Sequence, residues 1–363
     1  MQNLLSVENL CKHFPLPKPF LFSKVRPVLK AVDGVSLTVR EGETYGLVGE
    51  SGCGKSTFGR TLLQLQTPTS GEVRYYGCSV AEFSPKYANA KDGHTEQGQG
   101  LELTKLDKTE MRRLRRDLQI VFQDPYSSLN PRMTVGQIVE EGVATHGFYK
   151  RGSEEMRKYV LEILQKCGLQ GYMAQRYPHQ FSGGQRQRVC IARALAVRPK
   201  FVVCDECVSA LDVSVQAQIL NLLQVLKEKE KLTYLFISHD LSVVRHVSDR
   251  IGVMYLGKIV EEGSAEQIFG NPRHPYTVAL ISAAPNAEET NPEKILLNGQ
   301  MPSPVSPPTG CPFHTRCFMA QERCRQIPAP VERVEDGHVA ACHFAEISTE
   351  KKRAIALKKE KLP

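Results

Sequence analysis

The stretch that decides the fold is ETYGLVGESGCGKSTFGRTLLQL, residues 43–65. It opens as a short apolar run, turns glycine-rich, and from about Lys55 reads as a helix. Gly49 to Ser56, GESGCGKS, fits G-x-x-x-x-G-K-S/T at a strand-to-helix junction, the context in which that pattern has a mechanism. The glycines let the backbone wrap a phosphate with its N–H groups, and the helix start adds the positive end of a dipole. Lys55 supplies charge for β- and γ-phosphates, and Ser56 offers a hydroxyl to Mg²⁺. The expected phosphate cradle is therefore Gly49, Glu50, Ser51, Gly52, Cys53, Gly54, Lys55, Ser56 and Thr57.

Two further stretches supply what such a cradle needs. FVVCDE, residues 201–206, is a short apolar strand ending in two acids. Asp205 is placed to hold Mg²⁺ through water, and Glu206 to orient or deprotonate an attacking water. FSGGQRQRVCIARAL, from Phe181, opens a helix at Ser182, Gly183 and Gly184 whose free N–H groups can grip an anion. A second anion grip needs a reason in a chain that already has one cradle.

Around these motifs strands and helices alternate. Residues 4–10, 31–39 and 71–77 show short strand patterns, LQIVFQ (118–123) and LTYLFISHD (232–240) read as buried strands, and KTEMRRLRR (108–116) is a basic helix. Two amphipathic helices are expected between Thr134 and Cys167, another from Gly184, and one over VQAQILNLLQVLKEKE, residues 215–230. Such alternation favours a mostly parallel sheet flanked by helices. The polar, glycine-rich segment at about 84–103 has no periodicity and reads as an exposed insertion. After about Asn271 the chain becomes proline-rich, and a domain boundary is placed there.

The totals narrow the classes. The 363 residues are 41% hydrophobic and 24% charged, ordinary for a soluble globular chain. No apolar run approaches the roughly 20 residues of a membrane span, and the N-terminus lacks the pattern of a signal peptide, so a cytoplasmic protein is expected. Part of the net charge of +8 sits in EKKRAIALKKEKLP, read as a solvated tail or a contact with an anionic membrane surface, which weakens any case for nucleic acid. Of eleven cysteines, Cys11, Cys53, Cys78, Cys167, Cys190, Cys204 and Cys207 are scattered and read as small hydrophobes in a reducing compartment. Cys311, Cys317, Cys324 and Cys342 are grouped, with five, six and seventeen residues between them.

In chain order these motifs resemble those of the ABC ATPases, almost continuously from residue 1 to about 270. VFQDPYSSLNPRMTVGQIVEEG, NPRHPYTVALISAAP and GCPFHTRCFMAQERC (310–324) narrow the resemblance to ATP-binding subunits of oligopeptide/dipeptide importers, a group that includes nickel and some sugar importers, through about Phe344. The resemblance implies an α/β P-loop ATPase domain over 1–270, with RecA-like core sheet, antiparallel β subdomain and a helical subdomain at about 124–190. It implies a small Pro/Cys-rich extension over 271–345 and a basic tail over 346–363. It also implies that the Ser182, Gly183, Gly184, Gln185 turn of one subunit closes on the γ-phosphate held by another in a head-to-tail dimer. Gln123 matches the glutamine that touches Mg²⁺ and attacking water, Asp212 the loop that crosses the dimer, His239 the switch histidine, and Phe14 the aromatic that stacks on adenine. Cys207 departs from the proline usual after the catalytic glutamate; a local backbone effect with intact hydrolysis is expected.

The implied partners are two transmembrane permease subunits, a second ABC ATPase that is a paralogue or another copy, and indirectly an extracytoplasmic solute-binding protein, all serving ATP-driven uptake at the cytoplasmic face of the membrane. The alternative is the ATPase-like component of a non-transport complex such as carbon–phosphorus lyase, although those are shorter and lack the four-cysteine end. Family members with the four-cysteine pattern carry a 4Fe-4S cluster, and four thiolates suit one. Zinc also takes four thiolates, without its common two-to-four-residue spacing here, and unmetallated thiols are the third reading. His314, His338 and His343 are expected at the surface.

Overall fold

The computed structural model describes residues 2–18, 26–78, 83, 100–283 and 294–360. The predicted insertion lies outside the described residues except at its end, where residues 100–103 enter a short strand and a helical turn. In chain order the described elements are β1 (Asn3–Pro15), β2 (Val28–Arg40), β3 (Thr44–Val48), α1 (Lys55–Leu62), β4 (Ser70–Tyr75), β5 (Leu101–Glu102), α2 (Lys108–Leu114), β6 (Leu118–Val121) and α3 (Pro125–Ser128). There follow α4 (Val135–Thr145), α5 (Glu154–Lys166), α6 (Gly183–Leu195), β7 (Phe201–Asp205), α7 (Val213–Glu230), β8 (Thr233–Ile237), α8 (Leu241–Val247), β9 (Arg250–Tyr255) and β10 (Lys258–Ser264). The chain ends with α9 (Ala265–Gly270), α10 (Pro275–Ala283), α11 (Glu322–Gln326), β11 (Val331–Glu335), β12 (His338–Ala341) and α12 (Thr349–Glu360). None of the described helices is long and apolar enough to cross a membrane.

The elements group into two units. One is built mainly from residues 74–237, with residues 2–6 and 38–44. In it β6, β7 and β8 are parallel neighbours, registered Leu118 to Phe201 and Cys204 to Phe236. FVVCD and TYLFI are buried at every position, which is why they carry near-continuous apolar runs instead of alternation. The helices start where their capping residues stand: Asp107, Thr134 and Ser182 each form a reciprocal pair with Glu110, Gln137 and Gln185, and Ser153 caps α5. Val135, Ile138, Val139 and Val143 of α4 and Met156, Tyr159, Val160, Ile163 and Leu164 of α5 are buried, recurring at three- and four-residue spacing.

The second unit comprises residues 7–37, 45–73 and the chain from Ser238 onward. Here β3 pairs in parallel with β9, Tyr45 against Arg250, and β9 turns back into β10. The next strand is β12, with Glu261 opposite Ala340, and β11 closes that edge. A hairpin of the proline-rich end thus extends the sheet that carries β3, across the boundary placed at Asn271. Glu261 is the buried anchor of that join, 1% exposed. Its carboxylate accepts from the Arg273 and His274 N–H groups at 2.6 and 2.8 Å and faces Nε2 of His338 at 2.8 Å. His338 is fully buried and His343 is 9% exposed, so neither lies on the surface as their polarity suggested.

The basic tail is corrected likewise within its described part. Residues 349–360 form a helix whose Ala356 packs with Val278, Ala279 and Ile295. Lys352 is buried at 0% exposure, and its ammonium donates to the carbonyls of Ala345 and Ile347. A lysine can be buried this way when its stem packs and its head finds carbonyl acceptors.

Replacing Glu261 with Ala strands two backbone N–H groups and an imidazole in the interior. A loss of about 2–4 kcal/mol in unfolding free energy is expected, read from the urea midpoint of the full chain. Glu261→Gln, which keeps acceptor capacity, is expected to lose about half as much.

Candidate functional site

The phosphate loop lies in the second unit, between β3 and α1. Gly49 has φ +152 and Gly54 has φ +113. A Cβ on Gly49 would stand 2.2 Å from the Met254 carbonyl oxygen, and one on Gly54 would stand 2.1 Å from that of Ala31. Conformation and space both require glycine at these two positions. Cys53 is buried beneath the loop, its carbonyl accepting from the Gly257 N–H at 2.8 Å, and burial pushes its thiol above the ordinary range. Lys55 is 4% exposed and folds back on its own loop, donating to the carbonyls of Gly49 at 2.7 Å and Glu50 at 3.0 Å. Ser51 and Gly52 are exposed, and Ser56 and Thr57 are partly so.

Glu50 is committed elsewhere. Its backbone N–H donates to the Tyr276 hydroxyl at 2.8 Å, and its carboxylate accepts from both terminal guanidinium nitrogens of Arg316, at 2.6 and 3.0 Å. The sequence predicts a nucleotide role for Glu50 and none for Tyr276 or Arg316. The only signal for either was its place inside a quoted stretch, NPRHPYTVALISAAP or GCPFHTRCFMAQERC.

The carboxylates and the second anion grip lie in the first unit. Asp205 ends β7 at 1% exposure. Glu206 follows in a left-handed conformation, φ +48, uncommon for a residue with a Cβ and held here by partners on both sides. Its N–H donates to the Ile237 carbonyl at 3.0 Å, and its own carbonyl accepts from the Ser209 N–H and hydroxyl. The Gln123 amide donates to Glu206 Oε2 at 3.0 Å, so these two predicted residues meet. Cys207 is buried, and a hydrogen bond with it, together with burial, raises the Cys204 thiol well above its usual range. In place of a proline, the chain thus has a buried cysteine, and the two acids lie between two buried thiols in the sequence.

Ser182 caps α6, its hydroxyl 3.4 Å from the Gln185 N–H and its own N–H donating to Gln185 Oε1 at 3.1 Å. Gly183 and Gly184 form the first turn, and a Cβ on Gly184 would fall 2.4 Å from Val215 Cγ1, so glycine is what lets α6 approach α7. Arg186 is clamped below the turn by the Pro178 carbonyl and lies 3.8 Å over the Tyr126 ring. Asp212 stands exposed at the head of α7, next to Val213 at 83% exposure. In the second unit, His239 is exposed just ahead of α8, and Phe14 is half-buried on β1 with the Lys12 ammonium 4.8 Å from its ring centre.

The four grouped cysteines sit in the second unit at buried or half-buried positions. Burial pushes the Cys317 thiol up to about 12 and that of Cys342 to about 11, and raises Cys311 as well. Cys317 feels the charge of the other three, and the Met319 and Phe344 N–H groups point at the sulfurs of Cys317 and Cys342 at 3.3 and 3.4 Å. Among the described residues, three metal-capable donors within 4.8 Å of one another occur at Cys11, His13 and Asp33, not among these four. At the first set, Asp33 is already engaged by His13 at 2.9 Å and by the Lys258 ammonium at 3.3 Å.

Comparison with known proteins gives these sites a context. Residues 32–209 match the ABC transporter family model, and residues 260–324 match that of the oligopeptide/dipeptide transporter C-terminal region. The oligopeptide transport ATP-binding protein AppF of Bacillus subtilis is 46% identical over 94% of this chain and 98% of its own length. The dipeptide transport ATP-binding protein DppF of Haemophilus influenzae is 47% identical over 93% and 96%. Among solved structures, the dimeric ATP-binding cassette MJ0796 in a post-hydrolysis state bound to ADP and Pi is 30% identical, covers 72% of this chain and 98% of its own, and gives a TM-score of 0.58. With both regions matched and such relatives aligned end to end, the chain belongs to the ATP-binding proteins of the oligopeptide/dipeptide ABC transporter family, with the ABC-type P-loop ATPase fold.

Proposed function

We propose that this chain hydrolyses ATP to drive uptake of oligopeptides or dipeptides through a membrane permease, working from the cytoplasmic face. The observation that supports this reading is the Gln123–Glu206 pair beside Asp205, a carboxylate held by a side-chain amide and so suited to orienting a water. Lys55, Ser56 and the loop N–H groups bind the β- and γ-phosphates in this reading, Ser56, Gln123 and Asp205 serve Mg²⁺, and Phe14 stacks on adenine. Water attacks the γ-phosphorus, the bond to the β-phosphate oxygen breaks to leave ADP, and Glu206 takes the water's proton. His239 contacts the γ-phosphate. A partner ATPase contributes its Ser182-type turn across a head-to-tail interface, into which Asp212 projects. The peptide assignment is supported by relatives named for oligopeptide and dipeptide transport. Residues 1–270 serve as the ATPase domain in this proposal, 271–345 as its extension and 346–363 as the tail.

For Cys311, Cys317, Cys324 and Cys342 we propose a structural 4Fe-4S cluster. The donor set fits: four thiols within each other's electrostatic reach, two of them already receiving backbone N–H groups. Around a single zinc ion, bonds of about 2.3 Å bring thiolates to roughly 3.8 Å from one another. The five, six and seventeen residues between the cysteines lack the two-to-four-residue spacing common in zinc modules, which favours the cluster. When bound, the cluster supplies cross-linking of a proline-rich segment that has little core of its own.

In proteoliposomes holding the chain with its permease subunits and partner ATPase, Glu206→Gln is expected to retain ATP binding. Hydrolysis and peptide uptake should fall together by about 100-fold or more. Hydrolysis at the wild-type rate would remove Glu206 from the chemistry, and ATP-independent uptake would remove the function. The anaerobically purified chain is expected to be coloured, with iron and sulfide in equal amounts. A colourless preparation holding zinc, or no metal, would contradict the cluster.

A further inference from the structure

We infer that Arg316 is a positioning residue for the phosphate loop, reaching from the cysteine-rich extension to fix the peptide on which Lys55 rests. The inference rests on the reading of Gly49–Ser56 as an ATP site and adds a residue to it from outside the ATPase motifs. Arg316 meets Glu50 fork to fork, with its side chain 6% exposed and that of Glu50 31% exposed. Bidentate pairs of this kind fix orientation as well as distance. Tyr276, fully buried, accepts the Glu50 N–H, so both ends of that residue are held by groups from beyond residue 270.

The consequence for phosphate binding follows from connectivity. Lys55 rests on the carbonyls of Gly49 and Glu50. Any rotation of the Glu50 peptide therefore moves the resting place of the ammonium and the aim of the neighbouring N–H groups. Arg316 is itself well placed to resist such rotation. Its N–H donates to the Phe313 carbonyl at 3.0 Å, and Phe313, 1% exposed, packs edge-on against Tyr255 at 5.2 Å and against Tyr276 at 5.4 Å. Cys311 and Cys317 bracket this turn, which places the brace inside the segment that the thiols would tie together. The Arg316 charge also neutralises a carboxylate beside a site that must accept a polyanion. Without it, the phosphate loop carries an uncompensated negative charge at Glu50.

The test is titration of the full chain with a fluorescent ATP analogue and Mg²⁺, alongside the KM and kcat of the assembled ATPase and the thermal midpoint. Arg316→Ala is expected to raise Kd and KM for ATP about tenfold with kcat within threefold. Arg316→Lys, which keeps the charge and loses the fork, is expected to raise them about threefold. Adding Glu50→Gln to Arg316→Ala should weaken binding no further, since the two act as one unit. An unchanged Kd with a lowered thermal midpoint would make the pair a simple tether and overturn the inference, as would effects that multiply in the double variant. If Arg316→Ala does not fold, Arg316→Lys and Glu50→Gln alone carry the same comparison. A wild-type chain that binds no analogue would instead overturn the ATP-site reading itself.

Discussion

The constraint on which the rest depends is the path of the backbone from Gly49 to Lys55. Two of its residues have positive φ and no room for a Cβ, and the carbonyls it turns inward hold the Lys55 ammonium. A loop shaped this way presents N–H groups on its other side, where a phosphate is bound by fixed dipoles and needs no rearrangement of the chain. The neighbours that shape it are half-buried Ala31 and buried Met254 and Gly257, from β2, the end of β9 and the turn after it. The loop is therefore a product of tertiary packing as much as of its own glycines.

The acids obey a related rule. Asp205 lies at the end of a strand buried on both faces, and Glu206 is forced into a left-handed turn by hydrogen bonds to Ile237 and Ser209. Rigid placement of a carboxylate costs backbone strain of order 1–3 kcal/mol, and β7 and β8 provide the apolar burial that offsets it. The cysteines at 204 and 207 add to this burial, and a hydrogen bond with Cys207 together with burial raises the Cys204 thiol well above its usual range.

Much of this was legible in the sequence, because the phosphate loop, the acidic strand end and the Ser182 turn are local patterns with local mechanisms. The caps at Thr134 and Ser182 likewise mark where α4 and α6 begin. What escaped was set by partners far along the chain. His338 looked like a surface histidine and is buried because Glu261, 77 residues away, accepts from it. Arg316 looked like one charge among cysteines and is defined by Glu50, 266 residues away. Lys352 belonged to a basic run that reads as solvated, yet the carbonyls of Ala345 and Ile347 give its head a place inside. The hairpin β11–β12 escaped because four and five residues are too few to show a period beside so many prolines.

The extension also changes how the family's two parts are seen. Its hairpin completes the sheet that bears β3, and its Arg316 and Tyr276 hold the first residue after Gly49. It belongs to the phosphate-loop unit physically, whatever else it carries. The most direct measurement of the central claim is calorimetric titration of the full chain with ATP and Mg²⁺, beside Lys55→Ala. The account predicts one nucleotide bound per wild-type chain and a large loss of affinity in the variant; equal binding by both, or none by the wild type, would contradict it.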